Sequence, residues 1–240
     1  MRSSPSDPDL LNPGPGGFAH RGLHGDGIPE NSLAAFERAI ERGAGIECDV
    51  RLSGDGSAVV FHDPDLRRMC DVALHVERTP TALLTGQRLR GSDQYLPSLE
   101  RVLELVDGKV PLLLELKTHN GNAAQLCSEV LLDLAPRAGP IGIMSFDPNV
   151  ARWVRRTAPH VRRGLVIGKN VSPAKRWLAL ITAVPQFVAV HRDSLGTRWI
   201  ARMRSRMPVY AWTIRSAAER AQAEVQADAL IWEGDGRPGN

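Results

Sequence analysis

The sequence predicts an α/β protein, a (β/α)8 barrel of the TIM type with a β-hairpin excursion after the second strand and a short or missing last helix. Eight segments with strand character alternate with amphipathic helical segments along the 240-residue chain, which is the order expected of such a barrel. The main alternative is an open doubly wound sheet. That fold usually carries a glycine-rich phosphate turn after its first strand, and the chain contains neither a GxGxxG nor a Walker pattern.

The predicted strands are short runs of apolar residues. They cover residues 17–20, 45–52, 110–116, 141–145, 163–167, 187–191, 209–213 and 229–232. A further arm at 58–62 follows the second strand and belongs to the hairpin rather than to the barrel.

Helical periodicity fills the gaps between these strands. The first helix begins at Asn31 or Ser32, either of which can cap it, and ends at Gly43. Between residues 67 and 96 the periodicity is weak, and no element is predicted there. The other helices are predicted at 98–106, 122–135, 148–158, 173–181, 196–206 and 216–226.

Two domain-level expectations follow from the ends of the chain. Residues 1–16 are rich in Pro, Gly, Ser and Asp and carry almost nothing to bury, so we expect a flexible arm there. Residues 17–240 form a single barrel domain. Only eight residues follow the last strand, so its helix is short or missing, and the arm could cover the gap.

Composition excludes several classes of protein. Hydrophobic residues make up 42% and charged residues 24%, with a net charge of +3. The arginines are spread over many segments and are interpreted as solvated helix faces, so no nucleic-acid partner is expected. Cys48, Cys70 and Cys127 lack CxxC spacing, so neither a disulfide framework nor a zinc site is indicated.

The location is expected to be cytoplasmic. No apolar run has the length of a membrane span, and the N-terminus lacks the apolar core of a signal peptide. No stable membrane insertion is therefore expected. The sequence leaves the oligomeric state open.

The second strand carries two acids on one face. Ile46, Cys48 and Val50 alternate with Glu47 and Asp49, so an extended backbone turns both carboxylates to the same side. Like charges so close raise each other's pKa, and the pair is stable when ionised only if a cation lies between them.

The hairpin is expected to bring a histidine to this acidic face. Asp55 and Gly56 lie between two β-prone runs and predict a two-residue loop. In that register Asp49 lies opposite His62, on the same face of the ladder. A histidine beside two carboxylates suits metal-assisted proton transfer.

The ends of the predicted strands collect further polar residues. Three carboxylates form an oxygen-rich set that suits Mg²⁺ or Ca²⁺, with Mn²⁺ as a further candidate, whereas zinc would favour His or Cys. Two basic residues could hold a phosphate, and two histidines could transfer protons. A tryptophan at this position is more often core than substrate-binding. The candidates are His20, Arg21, Glu47, Asp49, His62, Glu115, Lys117 and Trp212.

Several short motifs together resemble the glycerophosphodiester phosphodiesterases. The resemblance runs from about residue 17 to residue 233. The motifs are His20-Arg21-Gly22, Pro29-Glu30-Asn31-Ser32, Glu47-Cys48-Asp49-Val50, Val59-Val60-Phe61-His62-Asp63, Leu114-Glu115-Leu116-Lys117, Ser145-Phe146 and Ala211-Trp212-Thr213.

This resemblance implies an activity and a set of roles. The family hydrolyses glycerophosphodiesters to an alcohol and glycerol 3-phosphate with one divalent cation. By matching position, the ligands would be Glu47, Asp49 and Glu115. The acid and base would be His20 and His62. Arg21 and Lys117 would contact the phosphate of a small-molecule glycerophosphodiester.

The chain departs from the family pattern at positions that do not touch the presumed ligands, and these departures leave the pocket for the alcohol undetermined. The departures are Met69, Cys70, Arg215, Trp232 and Glu233. The head group therefore stays open among glycerophosphocholine, glycerophosphoethanolamine and lysophospholipids. Two other functions also stay open, which are a phospholipase D-like or cyclising activity on lysophospholipids and a catalytically silent binding module.

Overall fold

Eight parallel strands close into a barrel. The structure is a computed structural model that describes residues 11–137 and 139–239. Strand β1 pairs with both β2 and β9, which closes the sheet, and β3 is antiparallel to β2 outside the barrel. The predicted (β/α)8 barrel with its hairpin excursion is confirmed. The strands are β1 (Phe18–His20), β2 (Gly45–Leu52), β3 (Ala58–Val60), β4 (Leu112–Leu116), β5 (Ile141–Ser145), β6 (Arg162–Ile167), β7 (Phe187–His191), β8 (Val209–Ile214) and β9 (Ala229–Trp232).

Seven helices connect the barrel strands, and two short ones lie in the excursion. After β9 the described chain has only a 3₁₀ turn, Gly234–Gly236, which agrees with the prediction of a short or missing last helix. Among residues 11–137 and 139–239, no helix combines the length and the apolar composition needed to cross a bilayer. The helices are α1 (Leu33–Glu41), α2 (Arg67–Cys70), α3 (Thr81–Thr85), α4 (Leu99–Val106), α5 (Ala123–Leu134), α6 (Pro148–Thr157), α7 (Pro173–Ala183), α8 (Arg198–Arg204) and α9 (Ala217–Glu224).

Serine caps begin four of these helices. In each, the side-chain oxygen accepts a hydrogen bond from the backbone N–H three residues later, which satisfies one of the free donors of the first turn. The caps are Ser32, Ser98, Ser172 and Ser216. Their positions explain why the helix starts are readable from the sequence.

Large side chains fill the lower part of the barrel. The rings of Phe187 and Tyr210 stack at 4.9 Å between centroids, and Phe18 lies 5.7 Å from Tyr210. Glycines on neighbouring strands make the room, since a Cβ at Gly164 would lie 2.2 Å from the Phe187 ring and one at Gly45 would lie 2.7 Å from Phe18. Polar groups are therefore concentrated at the upper mouth, where the strands end.

The arm differs from its prediction in the part that the structure describes. Leu11 is 1% exposed and belongs to the apolar cluster inside the barrel, against Gly142. The expectation that residues 1–16 carry almost nothing to bury is wrong for Leu11. Gly16 accepts a hydrogen bond from the Trp232 indole at 2.8 Å, so the arm contacts the last strand of the barrel. Residues 1–10 lie outside the described part of the chain.

The excursion between β2 and α4 has an apolar cluster of its own. Its members are Val59, Phe61, Leu66, Val76, Leu84, Leu89 and Leu96. The elements here are single turns, such as α2 and α3, joined by isolated bridges. A helix of one turn shows no periodicity, which is why no element is predicted from the sequence in this region.

The hairpin loop has three residues rather than the two predicted. Ser53 donates its N–H to the carbonyl of Ser57 at 2.9 Å, which leaves residues 54–56 as the loop. Gly56 has φ +93°. A three-residue loop that ends on a glycine at positive φ is the next most common hairpin after the two-residue type, and the Asp-Gly pair is compatible with both.

The extra loop residue shifts the register by one. Val50 pairs with Val60, so Asp49 lies opposite Phe61 and not opposite His62. The Phe61 N–H donates to the Asp49 carbonyl at 2.9 Å, and β3 ends before His62. The predicted pairing of Asp49 with His62 is wrong.

The packing of the lower barrel yields a stability prediction. The substitution Gly164→Ala places a methyl group against the Phe187 ring, and we expect it to lower the free energy of unfolding by about 1–3 kcal/mol through overpacking. Gly86→Ala is the matched control because its Cβ would meet its nearest neighbour at an ordinary 3.4 Å. Urea denaturation followed by circular dichroism measures both. Equal stabilities of the two variants would contradict the packing described here.

Candidate active site

Three carboxylates converge at the mouth of the barrel. Glu47 and Asp49 on β2 are 0% exposed, and Glu115 on the neighbouring β4 is 7% exposed. The β2–β4 register sets Asp49 beside Glu115. One oxygen from each of the three residues lies within 4.8 Å of the others, which is close enough for one ion to contact all three.

Two basic side chains partly balance these acids. The Lys117 ammonium forms ion pairs with Asp49 Oδ1 at 3.0 Å and with Glu115. Arg21 places its Nε 3.1 Å from Asp49 Oδ2 and donates its backbone N–H to Glu47 Oε2 at 3.0 Å. Three carboxylates face two fixed cations, so the cluster keeps an excess of negative charge when all three acids are ionised.

Two of the buried carboxylate oxygens accept no hydrogen bond within the described structure. They are Glu47 Oε1 and Asp49 Oδ1, although Lys117 lies within ion-pair distance of the latter. A buried charged oxygen without a donor is costly. These two atoms are therefore suited to bind a cation.

The pKa values of the three acids diverge. Burial raises the pKa of Glu47 well above its ordinary value, and the charges of Asp49 and Glu115 raise it further. Burial also raises the pKa of Glu115, although Lys117 opposes it. Burial alone would raise the pKa of Asp49, but Lys117 and Arg21 hold it well below its usual range. The cluster therefore favours either a retained proton or an added cation.

Asn31 supports the acid that stays ionised. Its side-chain amide donates to Asp49 Oδ2 at 2.9 Å, and its side-chain oxygen accepts the Asp49 N–H at 3.3 Å. The sequence offered Asn31 as an alternative helix cap, but Ser32 performs that role. The only signal for a site residue was its place within the Pro29–Ser32 motif.

His20 is held by an acid from the other end of the chain. Its Nδ1 lies 2.6 Å from Glu233 Oε2, just after β9, and Arg215 contacts the other oxygen of Glu233 at 2.5 Å. Burial lowers the pKa of His20 although the bond to Glu233 opposes it. His24 Nε2 lies 3.8 Å from the same carboxylate. Glu233 and His24 were not predicted as site residues, although Glu233 stood out as a departure from the family pattern directly after the last strand.

His62 reaches the site despite the shifted register. Strand β3 ends at Val60, so the strand register does not fix the direction of the His62 side chain. Burial lowers the pKa of His62, and the nearby Asp49 carboxylate opposes this lowering. Its Nδ1 lies 2.7 Å from Asp63 Oδ1. The side chain is 33% exposed, so it borders the open mouth.

A chain of ion pairs joins His62 to Arg21. Asp63 contacts the Arg68 Nε at 2.6 Å, and Arg68 contacts Glu30 at 2.7 Å. Glu30 also accepts from Arg21 Nη1 at 2.7 Å. The excursion is thereby tied to the loop after β1, so His62 and Arg21 share one polar network.

Trp212 lies on one wall of the mouth. Its ring meets Phe146 edge to face at 5.5 Å between centroids and His191 at 5.2 Å. The Lys117 ammonium lies 5.7 Å from the centroid of the Phe146 ring. Trp212 is half-buried and packs against the apolar cluster inside the barrel. The aromatic wall therefore lies beside the acidic cluster.

The family model for the glycerophosphoryl diester phosphodiesterase family matches residues 20–233. The chain belongs to this family. The protein YqiK of Bacillus subtilis is 31% identical over 78% of this chain and 81% of its own length. A glycerophosphodiester phosphodiesterase of Caldanaerobacter subterraneus is 33% identical over 62% of this chain and 65% of that protein.

Solved structures share the fold of this family member. A phosphodiesterase of Oleispira antarctica, solved with the product sn-glycerol 3-phosphate, superposes with a TM-score of 0.82 at 24% identity, over 91% of this chain and 92% of that one. Family and named relatives together indicate an enzyme, a glycerophosphodiester phosphodiesterase.

The excess negative charge of the cluster predicts that Glu47→Gln stabilises the protein when no cation is bound. In chelator at pH 8, we expect this substitution to raise the free energy of unfolding by about 1–3 kcal/mol, because it removes a buried negative charge from a crowded cluster, in which Glu47 Oε1 accepts no hydrogen bond. The pKa of Glu47 is raised on folding, so the penalty accumulates as the pH rises above 4.5, the ordinary value for the side chain. The gain should vanish below that pH, where wild-type Glu47 is protonated in both states.

Thermal unfolding across the pH range measures the difference. Glu37→Gln, on the exposed face of α1, is the matched control and should change the melting temperature little. A destabilised Glu47→Gln protein in chelator would show that the acid has a structural role instead.

Proposed function

We propose that this family member hydrolyses glycerophosphodiesters to an alcohol and sn-glycerol 3-phosphate, and that the reaction depends on one divalent cation. The observation that carries the proposal is the buried cluster of Glu47, Asp49 and Glu115, with its excess negative charge. His20 and His62 are close enough to this cluster that both help to lower the pKa of Asp49. The product bound to the Oleispira antarctica phosphodiesterase supports the choice of product.

The chain's own residues fit a cation of this kind. Glu47, Asp49 and Glu115 would hold it, since they offer only oxygen atoms, two of which lack hydrogen bonds. Oxygen donors favour Mg²⁺ or Ca²⁺, and Mn²⁺ is also compatible. When bound, the cation would offset the negative charge of the substrate phosphate.

Arg21 and Lys117 are the proposed phosphate contacts. Their side chains are 16% and 15% exposed. Each is therefore held by ion pairs with the acids and is still accessible from the mouth. Arg21 can present two N–H groups to one phosphate, whereas Lys117 offers a point charge.

Trp212 is the proposed wall for the organic part of the substrate. Its aromatic face would exclude water from that side of the phosphate.

His20 and His62 are the proposed acid and base. Each ring uses Nδ1 to contact a carboxylate, Glu233 or Asp63, which favours the tautomer with its proton on Nδ1. Nε2 is then free to accept or deliver a proton at the mouth. One histidine removes a proton from the attacking water, and the other protonates the departing alcohol oxygen on the opposite side of phosphorus.

The product distribution tests the reaction. We expect glycerophosphocholine to yield choline and glycerol 3-phosphate with added Mg²⁺, Mn²⁺ or Ca²⁺, and nothing in chelator. In ¹⁸O-water the label should enter the glycerol 3-phosphate, as phosphorus NMR detects. Attack by a substrate hydroxyl would instead give an unlabelled cyclic phosphate, and phosphocholine would mean that the other ester bond is cleaved.

The controls separate cation binding from catalysis. The same cations should raise the melting temperature of the wild type and of Glu37→Gln, but not that of Glu47→Gln. Full activity in chelator would refute the proposed dependence. Absence of turnover on glycerophosphocholine, glycerophosphoethanolamine and lysophospholipids would favour a silent binding module.

Removal of either histidine should cost about 10²–10⁴-fold in kcat on the natural diester, because each acts as one general catalyst. A nitrophenyl phosphodiester has a leaving group that needs no protonation. Only the variant that lacks the acid, either His20→Ala or His62→Ala, should regain activity on that substrate. His160→Ala, at an exposed position distant in sequence, is the control. Equal recovery of both variants would rule out the division of roles.

A further inference from the structure

The outer face of α7 is apolar where a barrel helix normally meets water. Trp177, Leu178 and Ile181 are 64%, 59% and 49% exposed, and Val184 just beyond the helix is 41% exposed. Positions 177, 181 and 184 recur at helical spacing, so these side chains form one row along the helix. We refer to these four residues as the α7 stripe. Large exposed apolar rows of this kind usually mark an interaction site.

The stripe is not part of the core. The opposite face of α7 already packs on the barrel through Ala183, with Ala179 and Leu180 partly buried against the same cluster. The helix is therefore apolar on both sides. Burial against the barrel explains one side only, and the stripe needs another explanation.

The same side of the molecule is basic. Residues 148–192 contain nine Lys and Arg residues and no Asp or Glu. This segment includes α6 and α7, and the next helix, α8, also lacks acids. Strands β5, β6 and β7 are neighbours in the sheet, and α6, α7 and α8 follow them in turn. Positive charge therefore borders the stripe on both sides.

Basic side chains lie on α7 itself and on the neighbouring helix α8. Lys175 and Arg176 lie on α7 itself, and the Arg176 guanidinium stacks 4.1 Å from the ring centroid of Trp199 on α8. Lys175, Arg198 and Arg202 are exposed, and within residues 11–137 and 139–239 no ion pair with a carboxylate engages them. Lys169, by contrast, is paired with Asp193 at 2.6 Å.

We propose that the α7 stripe and its basic border bind reversibly to the surface of an anionic phospholipid membrane. Trp177, Leu178 and Ile181 enter the interfacial region, and Lys175, Arg198 and Arg202 meet the lipid phosphates. A row of apolar side chains with Trp, flanked by basic residues, is the pattern of a helix that lies in the plane of the interface. This is peripheral binding and needs no spanning segment.

The charges argue against two other occupants. If a second copy of the chain covered the stripe, the unpaired Lys175, Arg198 and Arg202 of both copies would be brought together, and like charges repel. Nucleic acid would satisfy the charges but would leave Leu178 and Ile181 without an apolar partner. An anionic bilayer offers phosphates to the basic side chains and an apolar region to the stripe.

The stripe runs along the side of the barrel. Pro173 begins α7 shortly after the C-terminal end of β6, and that end belongs to the rim that carries the three carboxylates. From Trp177 to Val184 the stripe follows the helix away from this rim, towards the start of β7. The proposed binding does not depend on the proposed reaction.

Co-sedimentation of the full chain with vesicles tests the proposal. We expect binding to vesicles of phosphatidylcholine mixed with phosphatidylglycerol, weaker binding to phosphatidylcholine alone, and release at high salt. The double substitution Trp177→Ser, Ile181→Ser should weaken binding at least about tenfold. Lys175→Gln, Arg198→Gln should weaken it by about fivefold for each charge removed.

Matched controls alter exposed residues elsewhere. Leu132→Ser removes an apolar side chain that is 68% exposed on α5, and Arg67→Gln removes a charge from α2. Both should bind anionic vesicles like the wild type. Far-ultraviolet circular dichroism and melting temperatures check that every variant folds, independently of any enzymatic assay.

Four results would overturn the proposal. The first is that anionic vesicles fail to bind the wild type, and the second is that the stripe and border variants bind them as strongly as the controls do. A dimer in sedimentation velocity that dissociates in the Trp177→Ser, Ile181→Ser variant would assign the stripe to self-association. Binding to duplex DNA that survives this double substitution, without vesicle binding, would assign the border to nucleic acid.

Discussion

The burial of three carboxylates at the mouth of one barrel constrains the rest of the structure. Glu47, Asp49 and Glu115 are almost fully removed from water, and charged groups in that environment need compensating partners. Lys117 and Arg21 supply two positive charges, and Asn31 satisfies one carboxylate oxygen. The remaining excess of negative charge makes the cluster receptive to a cation and keeps the surrounding basic side chains directed at it.

Packing beneath the cluster prevents the acids from relaxing away from each other. The aromatic rings of Phe187 and Tyr210 fill the space below, and Gly164 lets them approach the wall of the barrel. Strand register then sets the spacing of Asp49 and Glu115, because hydrogen-bonded neighbours in a sheet cannot slide independently. The repulsion is thereby retained in the folded state, as is expected of a functional site that is less stable than it could be.

The two histidines come from parts of the molecule that fold around different clusters. His20 ends a barrel strand and is oriented by Glu233 across the closure of the sheet. His62 belongs to the excursion, which has its own apolar cluster and is tied to the barrel through Arg68 and Glu30. A candidate site assembled at such a junction can vary its excursion without disturbing the strands that carry the acids.

Local spacing let the sequence by itself determine the order of strands and helices and the shared face of Glu47 and Asp49, since each depends on neighbours within a few residues. The hairpin register could not be read from the sequence, because an Asp-Gly pair fits loops of two and of three residues. The pairing of His20 with Glu233 joins residues 213 positions apart and exists only once the barrel closes. Periodicity likewise predicted a helix at 173–181. Which of its faces is covered depends on the helices and strands packed around it, so the exposed apolar row is evident only from the tertiary structure.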